Sequence, residues 1–157
     1  MRGRVLLAVL LGGWIVVAGA QEAGERLAPW TLLDQFDQAY SLDEDLRVLL
    51  VARDMGGAEL VERALAGKPR GYLESRSAAF LADISGMPGP IATLFAIPAM
   101  RDYAYRVLLD RQGRVASRYP GASGAVVWLD LRDGRLLATR TFIDSRALAS
   151  ALEEARR

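Results

Sequence analysis

The sequence predicts a single α/β domain built on one mixed sheet, and three observations carry that reading. Leu46–Ala52 (LRVLLVA) and Ala78–Ile84 (AAFLADI) are nearly continuous apolar runs, the pattern of strands buried on both faces. Between them Leu60, Val61, Ala64 and Leu65 recur at helical spacing. Strand, helix and strand in that order make a right-handed parallel crossover. Near the C-terminus Asp133-Gly134 separates two more strand-like segments and signals a hairpin turn.

Ahead of these elements, residues 1–20 read as a secretory signal peptide. Arg2 and Arg4 precede an apolar run from Val5 to Val17, and Ala18-Gly19-Ala20 supplies the small-x-small pattern at which signal peptidase cuts. The run is short of the roughly 20 residues that span a bilayer. Residues 21–157 are then the mature domain, with no stable membrane insertion after cleavage. Its 18 basic side chains stand against 19 acidic ones, so it lacks the basic surface of a nucleic-acid binder.

Along that domain, Leu46–Ala52 leads through Arg53-Asp54-Met55-Gly56-Gly57 into a helix over 58–66, which Gly67 and Pro69 end. Ser85–Pro90 is a turn into a second helix carrying Ile91, Leu94 and Phe95, which Pro98 is expected to end or kink near Ile97. Tyr105–Asp110 reads as a third strand, turning at Arg111-Gln112-Gly113 into Arg114–Tyr119 as a hairpin partner. Ala125–Leu131 and Arg135–Phe142 form the C-terminal hairpin. Asp144 or Ser145 caps a last helix with Leu148, Ala151, Leu152 and Ala155 on its apolar side.

The order of these elements resembles the thioredoxin-like superfamily. Ala28-Pro29-Trp30-Thr31-Leu32-Leu33-Asp34, then Tyr40-Ser41-Leu42, then Arg47–Ala52 are similar to the N-terminal segments of exported thiol-disulfide and peroxiredoxin-type proteins. Val107–Val115 (VLLDRQGRV) is similar to one of their hairpins. The resemblance implies a three-layer sandwich with a mixed central sheet plus an extra C-terminal β-hairpin. It also places Met55 and Ala58 where redox members carry two cysteines, and Ala104 at or beside their cis-proline. The chain has neither cysteine nor histidine. Thiol exchange, thiolate or imidazole zinc binding and Ser-His or Cys-His catalysis are therefore excluded.

What remains is the rim where strand ends and helix starts converge, the usual ligand crevice of an open α/β sheet. The resemblance puts Arg53, Asp54, Met55, Gly56 and Gly57 on one side of it, with Tyr103, Ala104 and Tyr105 opposite. Gly56-Gly57 either leave backbone N–H groups free for an anion near Arg53, or merely permit a tight turn. Met55 and Met87 offer two soft thioethers for Cu(I) but lack a third Met, a Cys or a His, and ordinary gap-filling is the preferred reading of them. Asp83 and Asp110 each close a strand and read as turn residues; Asp43-Glu44-Asp45 lacks the ligand alternation of a calcium loop. The arginines at 101, 106, 111, 114 and 118 read as a charged surface.

No catalytic residue, cofactor or metal is assigned from these patterns. The leading expectation is a redox-inactive, exported, periplasmic module that holds a peptide or envelope protein in the former active-site crevice. A cofactor-dependent oxidoreductase of flavin-dehydrogenase type is the alternative, although no GxGxxG follows the first strand. A purely structural envelope component is a third. Mass spectrometry of the exported product is expected to find Gln21 at its N-terminus; an intact Met1 in that fraction contradicts the cleavage.

Overall fold

The computed structural model describes residues 22–155, so the expected signal peptide lies outside the described residues. Its strands are β1 (Thr31–Asp34), β2 (Ala39–Ser41), β3 (Val48–Ala52), β4 (Ala78–Asp83), β5 (Leu108–Asp110), β6 (Val126–Arg132) and β7 (Arg135–Phe142). They form one sheet in the order β2-β1-β5-β4-β3-β6-β7. The central strands β5, β4 and β3 are parallel, while β1, β6 and β7 pair antiparallel with their neighbours. The sheet is mixed and the C-terminal hairpin is present, as the sequence predicts.

All five residues of β3 are buried because both faces of the sheet are covered. The pleat sends Val48, Leu50 and Ala52 to one core and Leu49 and Val51 to the other. The first core packs against α1 (Met55–Leu65) through Leu60, Val61, Ala64 and Leu65, and against α4 (Ser145–Glu154) through Leu148, Ala151 and Leu152. On the opposite face the covering layer is irregular. Leu27 and Trp30 meet Val115, Ala116 and Tyr119 there, and the Trp30 indole donates to the Tyr119 hydroxyl at 3.1 Å. Asp144 caps α4 by accepting from the Ala147 amide at 2.8 Å. Asp133 and Gly134 both take positive φ, the signature of a type I′ turn. Among the described residues no helix is long and apolar enough to cross a membrane.

Two expectations are corrected and one unexpected strand is added. Strand β5 covers only Leu108–Asp110, and Arg114–Tyr119 is not its hairpin partner but a tight turn containing a 3-10 segment, Ala116–Arg118. Both edges of β5 are already taken by β4 and β1. The Asp110 carboxylate, only 2% exposed, then accepts from the Val115 and Ala116 amides at 2.8 Å each and curls the chain away. Of the two outcomes expected at Pro98, an end or a kink, the helix does not end. The turns α2 (Gly89–Ile91) and α3 (Ile97–Met100) continue through a π-helical segment, Ala92–Ala96, in which Ile97 donates to the Ala92 carbonyl five residues back. Pro98 has no N–H for the carbonyl four residues back and its ring crowds that turn. The wider π turn just before it accommodates both effects. Finally, Ala39–Ser41 returns on β1 as a short antiparallel strand that propensity did not single out.

Candidate functional site

The C-terminal end of β3 delivers Arg53 and Asp54 directly onto the head of α1. Asp54 is extended (φ −154°, ψ 176°), the conformation of a helix N-cap, and its Oδ1 accepts from the Gly57 amide at 2.9 Å. Its other oxygen, Oδ2, accepts from the Ser123 hydroxyl and the Gly124 amide, both at 2.8 Å. One carboxylate thus ties the helix start to the loop that enters β6. These donors, the Gly57 amide first, then Gly124 and Ser123, hold the Asp54 carboxyl below its ordinary range.

The glycines serve this junction. A Cβ on Gly57 would stand 2.6 Å from the Ala125 carbonyl oxygen, and one on Gly56 would stand 3.0 Å from the Gly124 Cα. Helix and loop therefore pass backbone to backbone, an approach only glycine allows. The expected anion site is corrected on the same ground: the Gly57 amide is already engaged by Asp54. The loop packed against the helix start is Ser123–Ala125, whereas the resemblance put its partner at Ala104. Ser123–Ala125 leads into β6, which lies beside β3; the 103–105 segment leads toward β5, two strands away.

Beside this junction opens a cavity of about 320 Å³, lined by Arg53, Asp54, Met55, Ala58, Ala82, Asp83, Ile84, Gly86, Met87 and Met100. Arg53, Asp54 and Met55 are thus brought together as expected. Tyr103, Ala104 and Tyr105 are not among its lining residues. They line a separate depression with Asp34, Arg70, Glu74 and Arg106, where the two tyrosine rings stack at 5.0 Å and burial pushes both phenols up. What places them there is Gln35, a fully buried side chain on the turn after β1. Its amide nitrogen donates to the Tyr105 carbonyl at 2.9 Å, and its oxygen accepts from the Val107 amide at 2.9 Å.

Reading the sequence missed Met100 at the rim, and Ser123 and Gly124 at the junction beside it. Met100 ends the helix that begins just after Met87, so the length of that helix carries it back to the same opening. Ser123 and Gly124 reach Asp54 across some 70 residues of chain. Among the described residues no three Asp, Glu, Cys or His side chains gather as a metal site.

No protein-family model and no curated protein matches the chain. Solved structures do. A protein assigned as the thiol:disulfide interchange protein DsbE from Chlorobium tepidum superposes with a TM-score of 0.58 at 13% identity, covering 87% of this chain and 99% of that one. The peroxidoxin BcpB from Mycobacterium tuberculosis gives 0.54 at 18% identity, covering 87% and 96%. A peroxiredoxin-like protein from Aquifex aeolicus gives 0.53 at 15% identity, covering 88% and 90%. The fold is thioredoxin-like. On that fold Met55 and Ala58, which the resemblance sets at the cysteine positions, are the first and fourth residues of α1. A helix N-terminus there would lower a thiol pKa. With no cysteine in the chain, it meets the Asp54 carboxylate instead, and thiol-disulfide chemistry is excluded.

The Asp54 clamp has a pH signature. Its folded pKa lies below the unfolded value, so its stabilisation is complete above the unfolded pKa and is lost as pH falls through the folded one. Asp54→Ala is expected to cost roughly 0.5–2 kcal/mol at pH 7, the range for removing an N-cap. The gap to wild type should narrow on acidification below about pH 4. Denaturant unfolding of both proteins at pH 7 and pH 3 checks this; a gap independent of pH contradicts it.

Proposed function

We propose that the chain is an exported, redox-inactive thioredoxin-like binding module that holds an extended peptide, or a segment of an envelope protein, at the head of α1. The observation that carries the reading is the cavity. It sits where strand ends and a helix start converge, the placement ligands favour in open α/β sheets. Its volume of about 320 Å³ is near the lower end for ligand cavities, which run from roughly 300 to 1,000 Å³. That suits side chains of a peptide better than a large cofactor with its substrate.

The surroundings support the same reading. Met55 is 62% exposed at the opening. The helix running from Gly89 to Met100 presents Ile91, Leu94 and Phe95 to solvent, with Leu94 and Phe95 each 65% exposed. Apolar side chains gathered on one short helix are the kind of surface that partners cover. Each one buried contributes roughly 1.5–3 kcal/mol. The mature domain's near-neutral charge favours neither nucleic acid nor an anionic membrane as that partner.

Gly86 offers a clean test, because a Cβ there meets nothing within 4 Å. Gly86→Trp is therefore expected to fill the cavity with the fold intact. Peptides selected from a random library on the wild-type mature protein should bind Gly86→Trp and Met55→Asp at least tenfold more weakly. Equal binding to wild type and both variants, with unchanged circular dichroism, overturns the reading.

A further inference from the structure

The sequence contains four methionines, Met1, Met55, Met87 and Met100, and every one among the described residues lines the same cavity. They come from separate places: the first residue of α1, the turn after β4 and the last residue of α3. Scattered gap-filling would distribute methionines over both cores, yet the core on the opposite face of the sheet, around Leu49, Val51 and Tyr119, contains none. Met87 and Met100 are half-buried and packed against the helix-side core, which anchors them. Met55 is largely exposed and free to turn. Two thioethers alone would make a poor site, and the fold supplies the third.

We propose that Met55, Met87 and Met100 together form a thioether site for a soft monovalent cation, Cu(I) or Ag(I), at the head of α1. This rests on the reading of that cavity as the binding site. Thioether sulfur is a neutral, polarisable donor that selects such ions over hard cations, which require several oxygen ligands. No carboxylate cluster competes among the described residues, and no thiolate or imidazole exists anywhere in the chain. The local charge is also suitable. Asp54 and Asp83 line the cavity with two negative charges. Arg53 contributes one positive charge and the α1 N-terminus a further partial charge of about +0.5, leaving a slightly negative rim. An unbranched methionine has three rotatable bonds, so the exposed Met55 can close over an ion seated on the other two.

The absence of cysteine and histidine makes the experiment clean, since the usual adventitious soft-metal ligands are missing. The mature protein is titrated with Ag(I) in chloride-free buffer, and with Cu(I) against a chromophoric chelator under reducing conditions. Wild type is expected to retain one equivalent. Met55→Leu, Met87→Leu and Met100→Leu preserve apolar volume and should each weaken binding at least tenfold, with X-ray absorption of the wild-type complex showing sulfur as the dominant neighbour. Circular dichroism identifies any variant that fails to fold, and Met55→Leu, at an exposed position, serves as the decisive variant. Wild type that retains no Ag(I) or Cu(I), or leucine variants that bind as tightly as wild type, overturn the proposal. The two readings fail separately: if the metal is not held but Gly86→Trp still abolishes peptide binding, the cation site falls and the peptide cavity stands.

Discussion

The candidate site is organised by one carboxylate. Asp54 accepts from the first turn of α1 with one oxygen and from the loop entering β6 with the other. Those two segments are distant in sequence and meet only because β3 and β6 are neighbours in the sheet. The close backbone passage at Gly57 and Ala125 leaves no room for a side chain between them, so the clamp and the glycine depend on each other. Everything proposed for the cavity beside this junction presumes that it holds α1 in place.

A carboxylate at this position also explains how the scaffold stands without sulfur. The unpaired N–H groups of a helix start need acceptors and favour negative charge, which a thiolate is one way to supply. Asp54 meets the need with an intramolecular charge that is neither nucleophilic nor redox-active. The helix start is then capped, and beside it lies the cavity lined by methionine, isoleucine and alanine side chains together with Arg53, Asp54 and Asp83.

How much of this was legible in the sequence follows from the range of the forces involved. The buried strands β3 and β4, the crossover helix, the type I′ turn at Asp133-Gly134 and the Asp144 cap are local patterns, and the chain spells them out. The failures involve partners or helix geometry that residue type and spacing do not specify. Nothing near Gln35 shows that it will be buried and will hold Tyr105 and Val107, yet that side chain is why Tyr103–Tyr105 sit away from the cavity. Asp110 is the turn residue it looks like, but that it curls the chain away through the amides of 115 and 116 instead of opening a hairpin shows only in the structure. Met100 belongs to the rim only because the helix survives Pro98, through a π turn that periodicity does not encode. The rim residues contributed by β3 and its following turn were readable because they are contiguous.

The central claim is that recognition takes place in the cavity beside the Asp54 junction and not elsewhere on the sheet. The most direct measurement is a spectrum of the mature protein with its methionine methyl groups and backbone amides isotopically labelled, recorded as a library-selected peptide is added. The methyl signals of Met55, Met87 and Met100 should move together with the amides of Gly86 and Asp54, while the amides of Val115 and Ala116 on the opposite face stay in place. Stationary methionine signals, with the shifts falling on the Leu27–Tyr119 face instead, would contradict the account.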